Sequence, residues 1–133
     1  CSSKYSLGAS VNIGAMDECY CASLGKCLLA FSKDIDLSVY NGRKMERFTD
    51  TTIATVDGLR KELDKIKDQG YSLDNEEREV GLFCVGVPIM QNGHAVAAVS
   101  ISGPTRRIRD DNLEGKIEFM KELSEEIARA IFV

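Results

Sequence analysis

The chain has 133 residues, 44% of them hydrophobic and 29% charged, and its 21 acidic and 17 basic side chains leave a net charge of −4. That length suits one folding unit with a single core and is too short for two well-formed ones. No apolar run approaches the length of a membrane span, so no membrane partner is expected, and the acidic balance argues against a domain that grips nucleic-acid phosphates unaided.

The five cysteines, Cys1, Cys19, Cys21, Cys27 and Cys84, form an odd set without disulfide-scaffold or zinc-finger spacing, which points to reduced thiols. No secretory signal pattern opens the chain, so a cytoplasmic setting is expected. The first residue is Cys1 rather than Met, and the expectation is a piece of a longer polypeptide.

Residues 5–13 alternate Tyr5, Leu7, Ala9, Val11 and Ile13 against Ser6, Gly8, Ser10 and Asn12, the period of a half-buried strand. Residues 24–31 then carry Leu24, Cys27, Leu28 and Phe31 at helical spacing, with Ser23 or Ala22 at the start. Residues 32–45 read as a short helix or turn followed by a loop. Thr55 is placed to cap a second helix whose stripe is Val56, Leu59, Leu63 and Ile66, and Gly70 supplies its left-handed end.

Residues 71–73 read as a short strand, residues 74–79 as an acidic connection, and residues 82–90 as a strand apolar enough to be covered on both faces. Asn92 and Gly93 form a tight hairpin turn that returns residues 95–102 as the partner strand. Gly103 and Pro104 end it, and after the basic run Arg106, Arg107 and Arg109, Asp111 and Glu114 have the spacing of a capping box. A final amphipathic helix carries Leu113, Ile117, Met120, Leu123, Ile127 and Ile131. The fold class is α+β, an antiparallel sheet with helices packed against it.

Chemistry-bearing patterns are few. Gly25 and Lys26 at a helix start resemble part of a phosphate loop, but Tyr20 and Cys27 stand where that loop needs Gly and Ser or Thr. What remains is a helix N-terminus whose amides at Ser23, Leu24 and Gly25 suit a carboxylate, or else an ordinary capped core helix. Cys19 and Cys21, read as extended, share a face and with Cys84 and Asp74 would make a tetrahedral set. Their spacing is wrong for zinc and the only histidine, His94, falls at a hairpin tip, so no metal is expected. The same lone imidazole weakens a cysteine nucleophile, and the acidic run Asp74, Glu76, Glu77 and Glu79 reads as solvated rather than as acid and base. Ser100 and Ser102 share one strand face, and either line a cavity as hydroxyl donors or face solvent.

Several blocks together resemble the IclR-type bacterial transcription regulators. ASLGKCLLAF over residues 22–31 is similar to that family's "GKALLAF" helix, FTDTTI over residues 48–53 to its "T-x-x-T-I" segment, and VSISGP over residues 99–104 to its "S-[IV]-S-G-P" strand. Leu59 through Gly70 and Tyr71, with DNEE over residues 74–77 and GLFC over residues 81–84, resembles the block that lies between. These blocks follow the family order and cover nearly the whole chain.

The resemblance implies a GAF-like effector-binding domain over residues 1–133, N-terminally truncated, with the winged helix-turn-helix DNA-binding domain absent from this chain. It implies a homodimer or tetramer that binds a small organic acid, aromatic acids included, without cofactor or catalysis, and reaches operator DNA only through the absent domain. Carried over by position, the effector site has backbone amides at Ser23 and Leu24, a wall of Asp74, Leu82 and Cys84, hydroxyls at Ser100 and Ser102, and Ala9 at the border. Where many members have Leu-His, this chain has Cys19, Tyr20 and Cys21, so the ligand's far end is expected to meet a phenol and thiols. The first helix and strands of the usual domain are missing, leaving a sheet edge in need of cover. The rival readings are a GAF-type cysteine-dependent reductase and a purely structural oligomerisation module.

Overall fold

The computed structural model describes residues 16–34 and 36–132; the strand expected over residues 5–13 lies outside them. A 3-10 helix, Met16–Cys21, leads into α1 (Ser23–Ala30), and a second 3-10 turn, Ser38–Tyr40, precedes α2 (Val56–Gln69). Three strands follow, β1 (Ser72–Asn75), β2 (Leu82–Gln91) and β3 (His94–Pro104), and then α3 (Thr105–Ile108) and α4 (Leu113–Ile131). The strands form one antiparallel sheet in the order β1-β2-β3, with β2 central.

Helices cover both faces of that sheet, which is why β2 is apolar throughout rather than alternating. Phe83, Val85 and Val87 point to the side of α4 and meet Ile117 and Met120 there, flanked by Leu73, Val99 and Ile101. A second cluster joins α1 and α2 to the chain around them: Ala30, Leu59, Leu63 and Ile66 pack with Tyr20, Cys21, Leu37, Tyr40 and Met45. On the sheet side of α1 the strands present small and polar residues instead.

Local signals act where expected. The Thr55 hydroxyl accepts the Gly58 amide, and Gly70 ends α2 at φ 85°, a conformation that costs a residue without a Cβ little. Asn92 and Gly93 both take positive φ, 55° and 83°, as a two-residue turn matching strand twist requires.

Four expectations need correction. Cys19 and Cys21 lie on a 3-10 helix, not on an extended segment, so period-two geometry does not align their sulfurs. The buried stripe of α1 is Ser23, Lys26, Cys27 and Ala30, while Leu24 and Leu28 are each 41% exposed. Both sets have helical spacing; the buried one places Ser23 over Gly86, where α1 lies close against the sheet, and brings Lys26 to Glu77. The cap of α4 is Asn112, whose side chain accepts the Gly115 amide, rather than Asp111. The first strand of the sheet runs over Ser72–Asn75 and so takes in Asp74 and Asn75, which the acidic pattern assigns to a loop.

Candidate functional site

The antiparallel register builds the face beneath α1 as two cross-strand rows. Ser72, Gly86 and Ser100 lie side by side in one, and Asp74, Cys84 and Ser102 in the next. Because strand side chains alternate, residues two apart point to the same face, and the Ser72 hydroxyl fixes which face this is by donating to the Ser23 carbonyl of α1.

Two glycines set how closely α1 approaches. A Cβ on Gly86 would lie 2.7 Å from Ser72 Oγ and 3.0 Å from the Ser23 carbonyl oxygen, and one on Gly25 would lie 2.4 Å from Cys19 Cα. The first turn of α1 is thus wedged between the 3-10 helix and the sheet. Its cap, Ala22, offers no side-chain acceptor, and the amides of Ser23, Leu24 and Gly25 precede Lys26, whose N–H closes the first helical bond to Ala22 at 2.9 Å. Such amides carry the positive end of the helix dipole. At the far end of α1 the Phe31 carbonyl accepts the Ala95 amide of β3 at 2.8 Å, fixing the helix along the sheet.

Under that first turn sits a buried charge cluster. Lys26 is 0% exposed, and its ammonium donates to Glu77 Oε1 at 3.0 Å, to Glu77 Oε2 at 2.8 Å and to the Leu73 carbonyl. Glu62 of α2 stands 3.8 Å away. Glu77 also accepts the Asn75 amide, and its own amide donates to Asp74 Oδ1 at 2.8 Å. Burial pushes the carboxyl groups of Asp74 and Glu77 above their ordinary range, with hydrogen bonds and the Lys26 charge pulling them partly back.

The turn that carries these carboxyls is clamped from outside. Thr51 and Thr49 donate to the Asn75 and Glu76 carbonyls, and Thr52 to that of Glu77. The other side of the turn is held by Glu76, which accepts from the Gly81 amide at 2.7 Å and the Thr105 hydroxyl at 3.3 Å. The threonines of the segment over residues 48–53 therefore serve to hold the position of residues 75–77.

Next along the sheet face, Cys84 is buried and its sulfur accepts the Ser102 hydroxyl at 3.0 Å. Burial raises its thiol to about 11, as it raises Cys27, beside Ser72, to about 12. Neither is a nucleophile near neutral pH.

Of the residues singled out from sequence, Asp74, Cys84 and Ser102 come together in one row. Ser100 is half-buried in the neighbouring row, whereas the Ser102 side chain is exposed despite its bond to Cys84. Ser23 is buried above Gly86; Leu24 contributes backbone only, its side chain facing outward. Leu82 pairs with Pro104 one row further along. Ala9 lies outside the described residues.

The expected phenol and thiols at the ligand's far end need correction. The Tyr20 hydroxyl donates to the Glu46 carbonyl at 2.7 Å and its ring meets Tyr40 edge-on, while Cys21 is fully buried in the same core cluster. Sequence reasoning missed Lys26, Glu77 and Ser72. The signal available for Lys26 was its helical spacing with Ser23, Cys27 and Ala30. A separate open cleft of about 400 Å³, lined by Phe31, Ser32, Lys33, Lys67, Asn92, Gly93 and His94, lies at the hairpin end of the sheet, roughly 25 Å along β2 from Cys84 at 3.3 Å per residue.

Comparison with known proteins relates this α+β arrangement to solved domains. The family described as "Bacterial transcriptional regulator IclR C-terminal" matches residues 1–129. The HTH-type transcriptional regulator KdgR of Escherichia coli (strain K12) is 34% identical over 128 residues, covering 95% of this chain and 49% of KdgR. The HTH-type transcriptional regulator BhcR of Paracoccus denitrificans (strain Pd 1222) is 36% identical over 117 residues, 86% of this chain and 42% of BhcR. Among solved structures, the Thermotoga maritima IclR superposes with a TM-score of 0.76 at 38% identity, covering 95% of this chain and 49% of that one.

The chain belongs to the IclR family of bacterial transcription regulators, to the part that forms their C-terminal domain. It spans about half the length of the curated relatives it matches. No described helix is long and apolar enough to cross a membrane.

Proposed function

We propose that this domain senses a small organic acid and reports its presence to a DNA-binding domain elsewhere in a cytoplasmic, homodimeric or tetrameric regulator. The ligand carboxylate meets the amides of Ser23 and Leu24 at the start of α1, with the hydroxyls of Ser100 and Ser102 beside it. Asp74, Cys84 and Leu82 form the wall, and Ala9 borders the site. The observation that carries this reading is the row Asp74, Cys84, Ser102, which continues the sheet face on which the uncapped first turn of α1 rests.

Such a receptor performs no chemistry on its ligand. A cysteine-dependent enzyme on the same scaffold would need an activated thiol, and the raised Cys84 thiol argues against one. Effector binding shifts the population between two arrangements of the oligomer by binding one more tightly than the other.

A thermal-shift screen of the protein against small aliphatic and aromatic carboxylates tests the reading. A selective acid raises the melting temperature by mass action, by an amount that grows with the logarithm of ligand concentration. Absence of any shift at millimolar concentration overturns it.

A further inference from the structure

We infer that the cleft at the hairpin end of the sheet is a second ligand site, separate from the effector site proposed above, and that it takes a small phosphate ester. The two sites share no residue, so this one stands or falls independently of the sensing role.

Three separate stretches of the chain meet at the cleft. Phe31, Ser32 and Lys33 follow α1, Lys67 lies in the last turn of α2, and Asn92, Gly93 and His94 carry the hairpin into β3. The Ala95 amide donates to the Phe31 carbonyl at 2.8 Å, which joins the end of α1 to the start of β3 through backbone.

The lining has one kind of charge. Acidic residues outnumber basic ones in the chain, 21 to 17, yet two lysines, an imidazole and a carboxamide line the cleft and no carboxylate does. Asp34 and Asp68, each next in sequence to one of the lysines, are not among the lining residues. Elsewhere the lysine ammonium groups of Lys26 and Lys121 are committed, to Glu77 and to the Gln69 carbonyl. Among the described residues, neither Lys33 nor Lys67 has such a partner. A lysine in the last turn of a helix is ordinary, because it offsets the negative end of the dipole, and Lys67 alone would carry no ligand. Lys33 comes from a different element, lines the same hollow, and spends its charge on no carboxylate of the protein either.

A doubly charged anion between two such ammonium groups relieves their mutual repulsion and is attracted by both. A phosphate monoester carries about 1.5 to 2 negative charges near pH 7, and its oxygens accept from the lysines, the His94 N–H and the Asn92 carboxamide. The Ser32 hydroxyl is already spent on the carbonyls of Leu29 and Asp34, at 2.9 and 3.2 Å. The half-buried Phe31 ring gives the cleft an apolar side. Its volume of about 400 Å³ falls within the span of small-molecule pockets, about 300–1,000 Å³, and leaves room for a carbon skeleton beside the phosphate.

Titration of the whole chain with phenyl phosphate at pH 7.5, followed by nuclear magnetic resonance, tests the assignment. Saturable shifts are expected at Lys33, Lys67 and His94, with affinity at least about tenfold above that of phenol and about threefold above that of inorganic phosphate. Raising sodium chloride from about 50 to about 300 mM should weaken binding several-fold, because both lysines are exposed. The double variant Lys33→Gln, Lys67→Gln, whose spectrum away from the cleft should match that of the parent, is expected to lose affinity by at least about tenfold. No saturable shift up to about 20 mM, or parent affinity in the double variant, overturns the site. Equal affinity for inorganic phosphate overturns the ester. Shifts centred on Ser23 and Ser102 instead would put the probe in the effector site and overturn a separate one.

Discussion

Lys26 of α1 and Glu77 of the turn after β1 form a buried bidentate ion pair, 2.8 and 3.0 Å, across 51 residues of sequence. It fastens the first turn of α1 to the edge of the sheet. An ion pair so placed contributes little net stability over an apolar equivalent, yet breaking it strands a charge. Lys26→Met is therefore expected to cost about 3–5 kcal/mol, read from urea denaturation. Adding Glu77→Leu to it should recover most of the loss. A single variant as stable as the parent would show that the pair does not exist in solution.

The buried carboxyls make stability depend on pH in a defined direction. A carboxyl raised in the folded state holds its proton more tightly there than in the unfolded chain. Its stabilisation is therefore complete below the ordinary value, 3.8 for Asp74, and is lost as pH climbs through the raised folded value. Asp74→Asn removes that loss. Relative to the parent, the variant should gain stability as pH increases from 4 toward 7. A constant difference across that range would place Asp74 in the ordinary carboxylate range.

Gly25 holds the contact between α1 and the 3-10 helix. A methyl group there would sit 2.4 Å from Cys19 Cα and 2.6 Å from its carbonyl oxygen, which backbone cannot yield without moving the helix. Gly25→Ala should cost about 1–3 kcal/mol as an overpacking change, even though alanine is ordinarily the better helix former. Stabilisation on this substitution would mean that the helices are further apart than described.

Thiol reactivity separates a receptor from an enzyme. With Cys84 near 11 and Cys27 near 12, both buried, iodoacetamide at pH 7.5 should label neither faster than an unstrained exposed thiol. The half-buried Cys19 is expected to react ahead of them. Rapid labelling of Cys84, mapped by mass spectrometry, would restore the nucleophile reading.

The start of α4 offers a sharp contrast between neighbours. Asn112→Ala removes the acceptor of the Gly115 amide and should cost about 1–2 kcal/mol by the general scale of cap substitutions. Asp111→Ala should change stability by less than about 0.5 kcal/mol, the usual range for a surface substitution. Equal effects would put the cap where the Asp111 and Glu114 spacing suggested.

The sequence by itself determined the elements whose causes lie within a few residues. The Thr55 cap and Gly70 stop of α2, and the Asn92 and Gly93 turn, act on backbone groups at most four positions away, so their chemistry is visible in the string. The burial of β2 was legible for a related reason, because a strand covered on both faces cannot hide its apolar run. The same blocks identified the family, and Asp74, Cys84 and Ser102 emerged as site candidates from them.

Only the tertiary structure decided which face of α1 turns inward and what becomes of the acidic run. Two stripes of α1 have the same period, and the choice between them depends on how closely a sheet lies beneath, which Ser72 and Gly86 set from about 50 to 60 positions away. A run of acids reads as solvated, because isolated charges stay in water. Lys26 and Glu77 are buried because each supplies what the other lost on leaving water, and that compensation exists only once the chain has brought them together.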